Sequence, residues 1–436
     1  MSEVLDRTIT PAPFWRTEVL TRHGAAPALI DVSEQVSHAE LGRRVQHEAR
    51  AWPGTGERRL VLVEIEPTIA SVVTYLAALA AGHVVLLAAP GRAEAMARAW
   101  SPDDRARPRD GAWAVDHGPA PGRHDLHPEL ALLLSTSGST GSPKLVRLSA
   151  EGVWANATDI AASLGLDASD RGVTTLPLHY CYGLSVLHSH LAVGGSVLLT
   201  RASVVDATLW SSMRAAGVTS VAGVPHTFEL LESSGAPTAA VPTLRLMTQA
   251  GGRLDPDHVR RWAARGAREG WDLRVMYGQT EATARMAVSA PGQAASDPTS
   301  VGLPVGAGRF SVRGAMGEVP TGGVGDLHYR GPNVMLGYAR EPGDLARGRE
   351  VTDLVTGDLA RLRPDGSLEI VGRRSSFLKV NGVRLDVERL ERLLADDGVS
   401  ALVGGADDRL LALVEGDGAG SDPTQVVRRA TTALVG

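Results

Sequence analysis

The segment STSGSTGSPK, which covers residues 135–144, combines small, hydroxyl-bearing and cationic residues in a way that suits phosphate binding. Two glycines and six serines or threonines precede Lys144. A loop of this composition turns successive backbone N–H groups toward one point, where they and the hydroxyls can hold an anion. The lysine would add a compact, mobile positive charge directed at phosphate oxygens. A flexible surface turn is the competing interpretation of such a loop.

Lys144 is unusual in this chain because the protein has only two lysines, the other being Lys379. Since Lys and Arg total 44, arginine is the default basic residue, and a GC-rich bacterial genome is the favoured explanation. The segment is not a Walker loop, because that motif would need glycine at Pro143 and a hydroxyl residue at Leu145. The sequence therefore predicts an anion-binding loop of another kind.

The elements that would position this loop alternate between strands and helices. Apolar runs such as LVLVEIEP (60–67), HVVLLAAP (83–90) and ALLLSTSG (131–138) each lead into a turn. Helical patterns follow at 69–81 and 149–164. This alternation predicts an α/β fold with stacked, mostly parallel sheets. Ligands of such sheets lie at the carboxyl ends of strands, and the glycine loop directly follows a buried one.

The pattern changes further along the chain. From about residue 301 short, Gly-rich strands dominate, which predicts a β-rich subdomain over about 301–372 inside a large domain that spans 1–372. A separate small α+β domain is expected over 373–436, with a helix in LDVERLERLLADDG (385–398). The Arg-, Pro- and Asp-rich segment Arg92–His124 is interpreted as a loop or a loosely packed surface segment.

Bulk composition limits the class of protein. The chain has 436 residues, 43% hydrophobic and 21% charged, with a formal net charge of -5 and a pI near 6.2. This length predicts more than one domain, and the acidic balance argues against nucleic acid as a partner. The single cysteine, Cys181, excludes a disulfide within the chain. Neither a signal peptide nor a membrane-spanning run is recognisable, so we expect a soluble, cytoplasmic protein with no membrane partner.

Six segments, in order, resemble the signature motifs of the adenylate-forming (ANL) superfamily. They are TSGSTGSPK (136–144), LPLHYCYGLSVL (176–187), YGQTEAT (277–283), GDLHYRGPNVMLGY (325–338), TGDLARLRPDGSLEIVGRR (356–374) and KVNGVRLDVERLE (379–391). That superfamily comprises acyl- and aryl-CoA synthetases, luciferases and the adenylation domains of peptide synthetases. Any one motif could arise by chance, whereas six in order over nearly the whole chain indicate membership.

The resemblance implies a Mg-ATP-dependent ligase that activates a carboxylic acid as an acyl-adenylate. The acyl group would then pass to the thiol of coenzyme A or of a carrier protein, and a small carboxylic acid is the other expected partner. The cofactors implied are ATP or AMP and Mg²⁺, with CoA as a further candidate. The resemblance also implies a large ATP- and carboxylate-binding domain and a small C-terminal domain that swings about a hinge near 373–376.

The resemblance assigns roles to residues at matching positions. The expected nucleotide contacts are Thr136, Ser137, Gly138, Ser139, Thr140, Gly141, Lys144, Gly251, Gly252, Arg253, Tyr277, Gly278, Gln279, Thr280, Asp358 and Arg373. The expected catalytic set is Lys144, His179, Thr280 and Glu281. Tyr277 would stack on adenine, Thr280 would bond phosphate, and the ribose would contact Asp358 and Arg373. Glu281 and Thr140 would hold Mg²⁺, because a carboxylate beside phosphates needs a cation between them.

One motif lacks a carboxylate, and this absence bears on the class of acid that the protein would activate. Amino-acid-activating members usually carry an aspartate near the histidine motif, and HYCYGLSV (179–186) contains no carboxylate. The resemblance therefore favours an acyl or aryl acid over an amino acid. His179 is the candidate gate residue of the acid pocket, and a satisfied core histidine is the competing interpretation. The substrate carboxylate is already ionised at neutral pH, so catalysis needs alignment and charge stabilisation rather than a general base.

The sequence departs from the family pattern in two respects. Ser375 stands where the hinge motif usually has aspartate. The family's second lysine, expected in a Gly-Lys motif near the C terminus, has no counterpart after Lys379, and the segment after the hinge is shorter than expected. The alternatives left open are a truncated piece of a complete enzyme, a naturally shortened enzyme with impaired adenylation, and a nucleotide- or acyl-adenylate-binding protein without turnover.

Overall fold

The computed structural model describes residues 12–52, 57–119, 122–136, 144–314, 317–373, 377–380, 383–396, 401–406 and 409–414. Its α-helices are α1 (Thr17–Leu20), α2 (His38–Ala51), α3 (Ile69–Ala80), α4 (Ala93–Trp100), α5 (Ala150–Leu164), α6 (Cys181–Ala192), α7 (Ala207–Ala216), α8 (Pro225–Ser233), α9 (Pro256–Glu269), α10 (Gln293–Ser296) and α11 (Val387–Asp396). Short 3-10 turns lie at Thr21–His23, Thr238–Ala240, Thr280–Ala282 and Pro342–Ala346.

The strands, in chain order, begin with β1 (Pro27–Ile30), β2 (Gln35–Ser37), β3 (Leu60–Glu64), β4 (Val84–Ala88), β5 (Asp104–Arg109), β6 (Ala112–His117), β7 (Leu130–Ser135), β8 (Leu145–Ser149), β9 (Arg171–Val173), β10 (Ser196–Leu198), β11 (Ser220–Gly223), β12 (Leu246–Gln249) and β13 (Asp272–Tyr277). They continue with β14 (Ala287–Val288), β15 (Ser300–Pro304), β16 (Arg309–Gly314), β17 (Gly317–Glu318), β18 (Val324–Arg330), β19 (Gly337–Ala339), β20 (Leu354–Leu362), β21 (Leu368–Arg373), β22 (Phe377–Val380), β23 (Val383–Asp386), β24 (Ala401–Ala406) and β25 (Arg409–Val414).

Two compact units make up the chain. The first comprises residues 1–309 and 329–354, and the second comprises residues 310–328 and 355–436. The predicted hinge near 373–376 falls within the second unit, and residues 374–376 lie outside the described residues. The division into a large domain over 1–372 and a small domain over 373–436 therefore stays a prediction.

One sheet of the first unit carries the glycine loop. Its strands are ordered β19-β8-β7-β4-β3-β5-β6, with parallel pairs at the centre and antiparallel pairs at the edges. The central strands are buried along their length, which explains their nearly unbroken apolar runs. β8 leads directly into α5, whose start is capped by the Ser149 hydroxyl as it accepts from the Gly152 N–H at 3.0 Å.

A second group of strands in the same unit places further site residues. β11, β12 and β13 are parallel neighbours, and β14 and β15 continue from β13 in antiparallel order. The aromatic residues Phe228, Trp262 and Trp271 pack together in the apolar core beside these strands. A separate four-stranded sheet has the order β2-β1-β10-β9. The α/β class predicted from the sequence is confirmed, as are the strands and helices expected between residues 60 and 90 and at 149–164.

Of the two interpretations given to the segment Arg92–His124, a loop or a loosely packed surface segment, the loop is wrong. The segment contains α4, β5 and β6, of which β5 pairs in parallel with β3 and β6 pairs with β5. Met96 and Trp100 are buried at helical spacing. Asp104, which reads as a loop residue, is buried because Arg59 forms an ion pair with it at 2.6 Å. The polar composition of this segment therefore did not indicate its helix or its edge hairpin.

In its described residues, the second unit consists of hairpins and one helix. β20 and β21 pair antiparallel across a turn at 363–366, and β22 with β23 and β24 with β25 form two more antiparallel pairs. α11 confirms the helix predicted within 385–398. Across all the described residues, no helix combines the length and the apolar character that crossing a membrane requires.

Candidate active site

Lys144 lies immediately before β8, at the end of the glycine loop. β7 and β8 pair antiparallel with Ser135 opposite Leu145, so Thr136 and Lys144 lie at the same end of this hairpin. The predicted loop contacts Ser137, Gly138, Ser139, Thr140 and Gly141 fall outside the described residues. The Nζ atom of Lys144 lies 4.0 Å from the centre of the Tyr338 ring. At this distance a cation–π interaction holds the ammonium group against the ring.

Tyr338 contacts a second charged residue as well. It belongs to β19, which pairs with β8 and sets Tyr338 opposite Val146. Its hydroxyl donates a hydrogen bond to Oε1 of Glu281 at 2.7 Å. Burial raises the pKa of Tyr338, and the Glu281 carboxylate raises it further, so the phenol stays protonated and acts as a donor. Sequence reasoning did not select Tyr338, although the motif that ends in LGY contains it.

Backbone constraints hold the turn that carries Thr280 and Glu281. Before the turn there is no room for a side chain, since a Cβ on Gly278 would lie 1.8 Å from the Ala284 carbonyl oxygen. After it, Thr283 has a φ of 66°, a conformation that residues with a branched Cβ rarely adopt. The Thr283 hydroxyl is buried and donates to a backbone carbonyl oxygen at 2.8 Å. The YGQTEAT sequence thus fixes both predicted site residues from either side.

The predicted acid-binding stretch lies at the start of α6. Thr280 Oγ1 donates a long hydrogen bond, 3.4 Å, to Sγ of Cys181, which joins this helix to the Thr280 turn. His179 is half-buried, and burial lowers the pKa of its imidazole, so the ring is neutral at pH 7. On the other side, the Tyr180 hydroxyl would lie 2.6 Å from a Cβ on Gly251. The structure therefore brings this stretch together with both the Thr280 turn and the Gly251 loop.

Parallel pairing brings the predicted adenine-side residues to one edge. Because β12 and β13 are parallel neighbours, Gly251, Gly252 and Arg253 follow β12 at the edge where Tyr277 ends β13. Gly251 has a φ of 80°, which glycine adopts without strain. Gly251, Gly252 and Arg253 are exposed, whereas Tyr277 is half-buried. The Gly252 carbonyl oxygen accepts a hydrogen bond from the Gln249 side chain at 2.8 Å, which holds this loop against β12.

Two observations bear on what this edge could hold. Within the described part of the chain, Nε2 of the half-buried Gln279 is shielded from solvent and has no hydrogen-bond partner, so it could donate to a ligand. The described residues contain no group of three or more His, Cys, Asp or Glu side chains able to hold a metal ion. Mg²⁺ needs only one or two protein carboxylates when phosphate oxygens and water complete its shell. Glu281 fits that role, while Thr140 lies outside the described residues.

The predicted ribose residues contact each other within the second unit. β20 and β21 set Asp358 opposite Arg373, and Arg373 Nε donates to Asp358 Oδ1 at 3.0 Å. Asp358 is 5% exposed, whereas the Arg373 side chain is 67% exposed. The Arg373 side chain therefore reaches solvent, while the Asp358 carboxylate with which it pairs is buried.

Comparison with known proteins decides the family. A protein-family model described as AMP-binding enzyme matches residues 93–339, which is more than half of the chain. The chain belongs to the AMP-binding enzyme family. The matched residues include Lys144, the start of α6, the Thr280 turn and Tyr338, so the site described in the first unit lies in the part that carries the family resemblance.

Curated relatives of this AMP-binding enzyme include both free-standing ligases and parts of much larger synthetases. It is 31% identical to oxalate–CoA ligase of Arabidopsis thaliana over 61% of this chain and 52% of the relative. It is 34% identical to sulfoacetate–CoA ligase of Cupriavidus necator over 64% of this chain and 54% of the relative. A nonribosomal peptide synthetase of Aspergillus campestris is 30% identical over 61% of this chain but only 3% of its own length. The chain thus spans about half the length of the curated ligases it matches.

Solved structures agree on the fold. ATP-bound MatB from Rhodopseudomonas palustris superposes with a TM-score of 0.76 at 22% identity, over 96% of this chain and 92% of that chain. O-succinylbenzoate coenzyme A synthetase from Bacillus subtilis, in complex with AMP, gives a TM-score of 0.74 at 20% identity, with 96% and 92% covered. VinN gives a TM-score of 0.68 at 26% identity, over 82% of this chain and 98% of its own.

Proposed function

We propose that this AMP-binding enzyme is a Mg-ATP-dependent acid–thiol ligase. It converts a small carboxylic acid to an acyl-adenylate and passes the acyl group to the thiol of coenzyme A or of a carrier protein. The observation that carries the proposal is Tyr338, which contacts Lys144 through its ring at 4.0 Å and Glu281 through its hydroxyl at 2.7 Å. A cation and a metal-binding carboxylate beside a glycine-rich hairpin suit a triphosphate better than a neutral ligand.

The nucleotide contacts follow from the arrangement in the first unit. Thr136 and Lys144 mark the two ends of the loop that wraps the triphosphate. Thr280 can exchange its long contact with Cys181 for a phosphate oxygen, because a sulfur acceptor at 3.4 Å is weak. By the family resemblance Tyr277 stacks on the base, and Nε2 of Gln279, which has no hydrogen-bond partner among the described residues, can donate to it. The ribose roles of Asp358 and Arg373 stay predictions that rest on the family resemblance.

The reacting groups need orientation and charge stabilisation more than activation. The acid is already a carboxylate at pH 7, so its alignment with the α-phosphate is the main requirement. Mg²⁺, when bound, offsets the negative charge that develops as pyrophosphate leaves. Lys144 contributes a fixed positive charge at the end of the loop, and the Tyr338 hydroxyl orients Glu281. His179, which burial keeps neutral, can hydrogen-bond the acid without adding charge to the pocket.

The names of the relatives support the acid and acceptor classes. Oxalate–CoA ligase and sulfoacetate–CoA ligase are named for small acids and coenzyme A, whereas a carrier-protein thiol as acceptor rests on the family resemblance. Residues 179–186 provide no carboxylate that could pair with a substrate ammonium group, so we favour an acyl or aryl acid. One structural neighbour, VinN, was solved with L-aspartate, which makes amino acids a necessary part of any substrate screen.

Pyrophosphate release across a panel of acyl, aryl and amino acids, with and without coenzyme A, tests the proposal. We expect release with at least one acid, and trapping of the adenylate by hydroxylamine as a hydroxamate. Lys144→Ala should weaken ATP binding by about 10-fold or more and AMP binding much less, because the lysine faces outer phosphates. Lys379→Ala replaces the one other lysine of the chain and is the matched control. No pyrophosphate with any acid, despite AMP binding, would reject the ligase and leave a nucleotide-binding protein.

A further inference from the structure

Arg285 carries a buried positive charge that the proposed reaction does not use. The residue is 2% exposed, and its guanidinium group lies 4.0 Å from the centre of the Tyr182 ring. Its Nε lies 3.3 Å from the sulfur of Met276, and its Nη1 donates to the Ser185 hydroxyl. These partners are all neutral. Among the described residues, no aspartate or glutamate forms an ion pair with Arg285, and none is among the main causes of the shift in its pKa.

Other arginines that are buried in the described part of the chain have stronger partners. Arg59 and Arg147 each form an ion pair with a carboxylate. Arg274 donates to two backbone carbonyl oxygens. A buried guanidinium ion without an anionic partner is unfavourable in a folded protein unless something else compensates it. For Arg285 the observation points to an anion that arrives with a ligand.

The surroundings of Arg285 are those of the proposed acid site. Tyr182 lies in the first turn of α6, directly after Cys181, whose sulfur accepts from Thr280 at 3.4 Å. Ser185 lies on the next turn of the helix. It lines a cavity of about 10 Å³ together with Cys181, Thr283, two further polar residues and surrounding apolar residues. Such a volume holds about one water molecule. An acid whose reacting carboxylate lies at Thr280 would pass Cys181 to reach Ser185, whose hydroxyl accepts from Arg285.

We propose that Arg285 is a specificity residue that binds a second anionic group, a carboxylate or sulfonate, at the far end of a short acid substrate. This inference rests on the proposed function, because it assigns the distal end of the acid that the ligase activates. A guanidinium group can bind a carboxylate through two parallel hydrogen bonds. A neutral end leaves the buried charge unpaired, and sites of this kind reject such analogues by on the order of 10²-fold or more.

The test compares acids matched in carbon number, malonate with propionate and succinate with butyrate, and adds sulfoacetate as the sulfonate. Pyrophosphate release gives kcat/KM for each acid, and thermal shift in the presence of AMP reports binding without turnover. We expect the wild-type protein to prefer each dianion by roughly 10²-fold. Arg285→Met should reduce this preference to within about 3-fold, and Arg285→Lys should retain part of it. Arg274→Met removes another buried arginine and should keep the wild-type preference.

Several outcomes would overturn the proposal. One is an equal kcat/KM for a dianion and its matched monoanion in the wild-type protein. Another is a folded Arg285→Met variant that prefers dianions as strongly as the wild-type protein does. If Arg285→Met does not fold, the wild-type comparison decides by itself. Absence of pyrophosphate with every acid, combined with a thermal shift that only dianions produce, would reject the ligase while supporting the anion site. Absence of both signals would overturn both.

Discussion

Tyr338 contacts both Lys144 and Glu281, and substitutions of Tyr338 can test these two contacts one at a time. Tyr338→Phe removes the donor to Glu281 Oε1 but keeps the ring that lies 4.0 Å from the Lys144 ammonium group. Groups that orient a metal ligand typically change metal affinity by 10- to 100-fold when removed. We therefore expect Tyr338→Phe to weaken ATP binding about 10-fold in the presence of Mg²⁺ and hardly at all in its absence, as measured by titration calorimetry.

Tyr338→Leu extends this comparison, because it removes the aromatic face as well. We expect ATP affinity to fall by a further factor of about 3 even without Mg²⁺, the size of an exposed cation–π interaction. Tyr329→Phe is the matched control, since it also deletes a buried hydroxyl, one that donates to Asn333 at 3.0 Å. An equal loss of affinity with and without Mg²⁺ in Tyr338→Phe would contradict the assignment of its hydroxyl to Glu281.

The sequence proposes candidate site residues where a short motif suits the chemistry. Lys144, Thr280 and Glu281 each stand in a local pattern that can be recognised without tertiary structure. Tyr338 and Arg285 were missed because their roles depend on pairing between distant segments. Tyr338 meets the glycine hairpin only because β19 pairs with β8, and the charge of Arg285 is conspicuous only once its surroundings are known to be neutral.

At the scale of elements, the segment 92–124 shows where prediction from sequence composition fails. Its arginines, aspartates and prolines favoured a loop, yet it forms α4 and the β5–β6 hairpin at the edge of a sheet. The reason is a polar network centred on Asp104, which accepts from Arg59 at 2.6 Å and from the Trp52 indole at 3.1 Å. Composition cannot show that two charges which look solvated are paired in the interior. The buried central strands, in contrast, were readable from their continuous apolar runs.

This network predicts that removal of one charge, the Asp104 carboxylate, strongly lowers the stability of the protein. Asp104→Ala would leave Arg59 buried without its carboxylate, and breaking a buried ion pair in this way costs about 3–5 kcal/mol. We expect urea denaturation to show a loss of that size in the free energy of unfolding. Asp116→Ala is the control, because its pair with Arg109 has side chains 39% and 55% exposed and should contribute less than about 1 kcal/mol. Equal losses in the two variants would contradict the buried pair.

At the scale of the whole molecule, buried histidines make stability depend on pH. Burial lowers the pKa of His83 to about 4 and that of His188 to about 3, from 6.5. Below pH 6.5 the unfolded chain binds protons at these positions that the folded chain does not bind, so unfolding becomes more favourable. We expect calorimetry to show stability falling as pH decreases from about 6.5 to about 4, by up to about 1.4 kcal/mol per pH unit for each histidine.

His83→Leu tests the origin of this slope. Within the described residues, both ring nitrogens of His83 are buried and have no hydrogen-bond partner, so a neutral apolar side chain loses no polar contact there. Nearby Asp104 and Asp103 favour protonation of His83 while Arg59 and Arg58 oppose it, and burial outweighs them all. The variant should show a shallower decline toward low pH. His226→Leu, at a side chain that is 73% exposed, should keep the wild-type slope, and a shared slope in both variants would contradict the prediction.

The position of Lys144 at the end of the glycine loop also has a practical consequence, because the chain contains only one other lysine. Amine-selective acylating reagents find only two lysine side chains in this sequence, Lys144 and Lys379. A molecule that occupies the glycine loop would shield the first amine and leave the second as an internal reference. The ratio of the two acylated peptides in a mass spectrum would then measure occupancy directly, with no mutation and no attached dye.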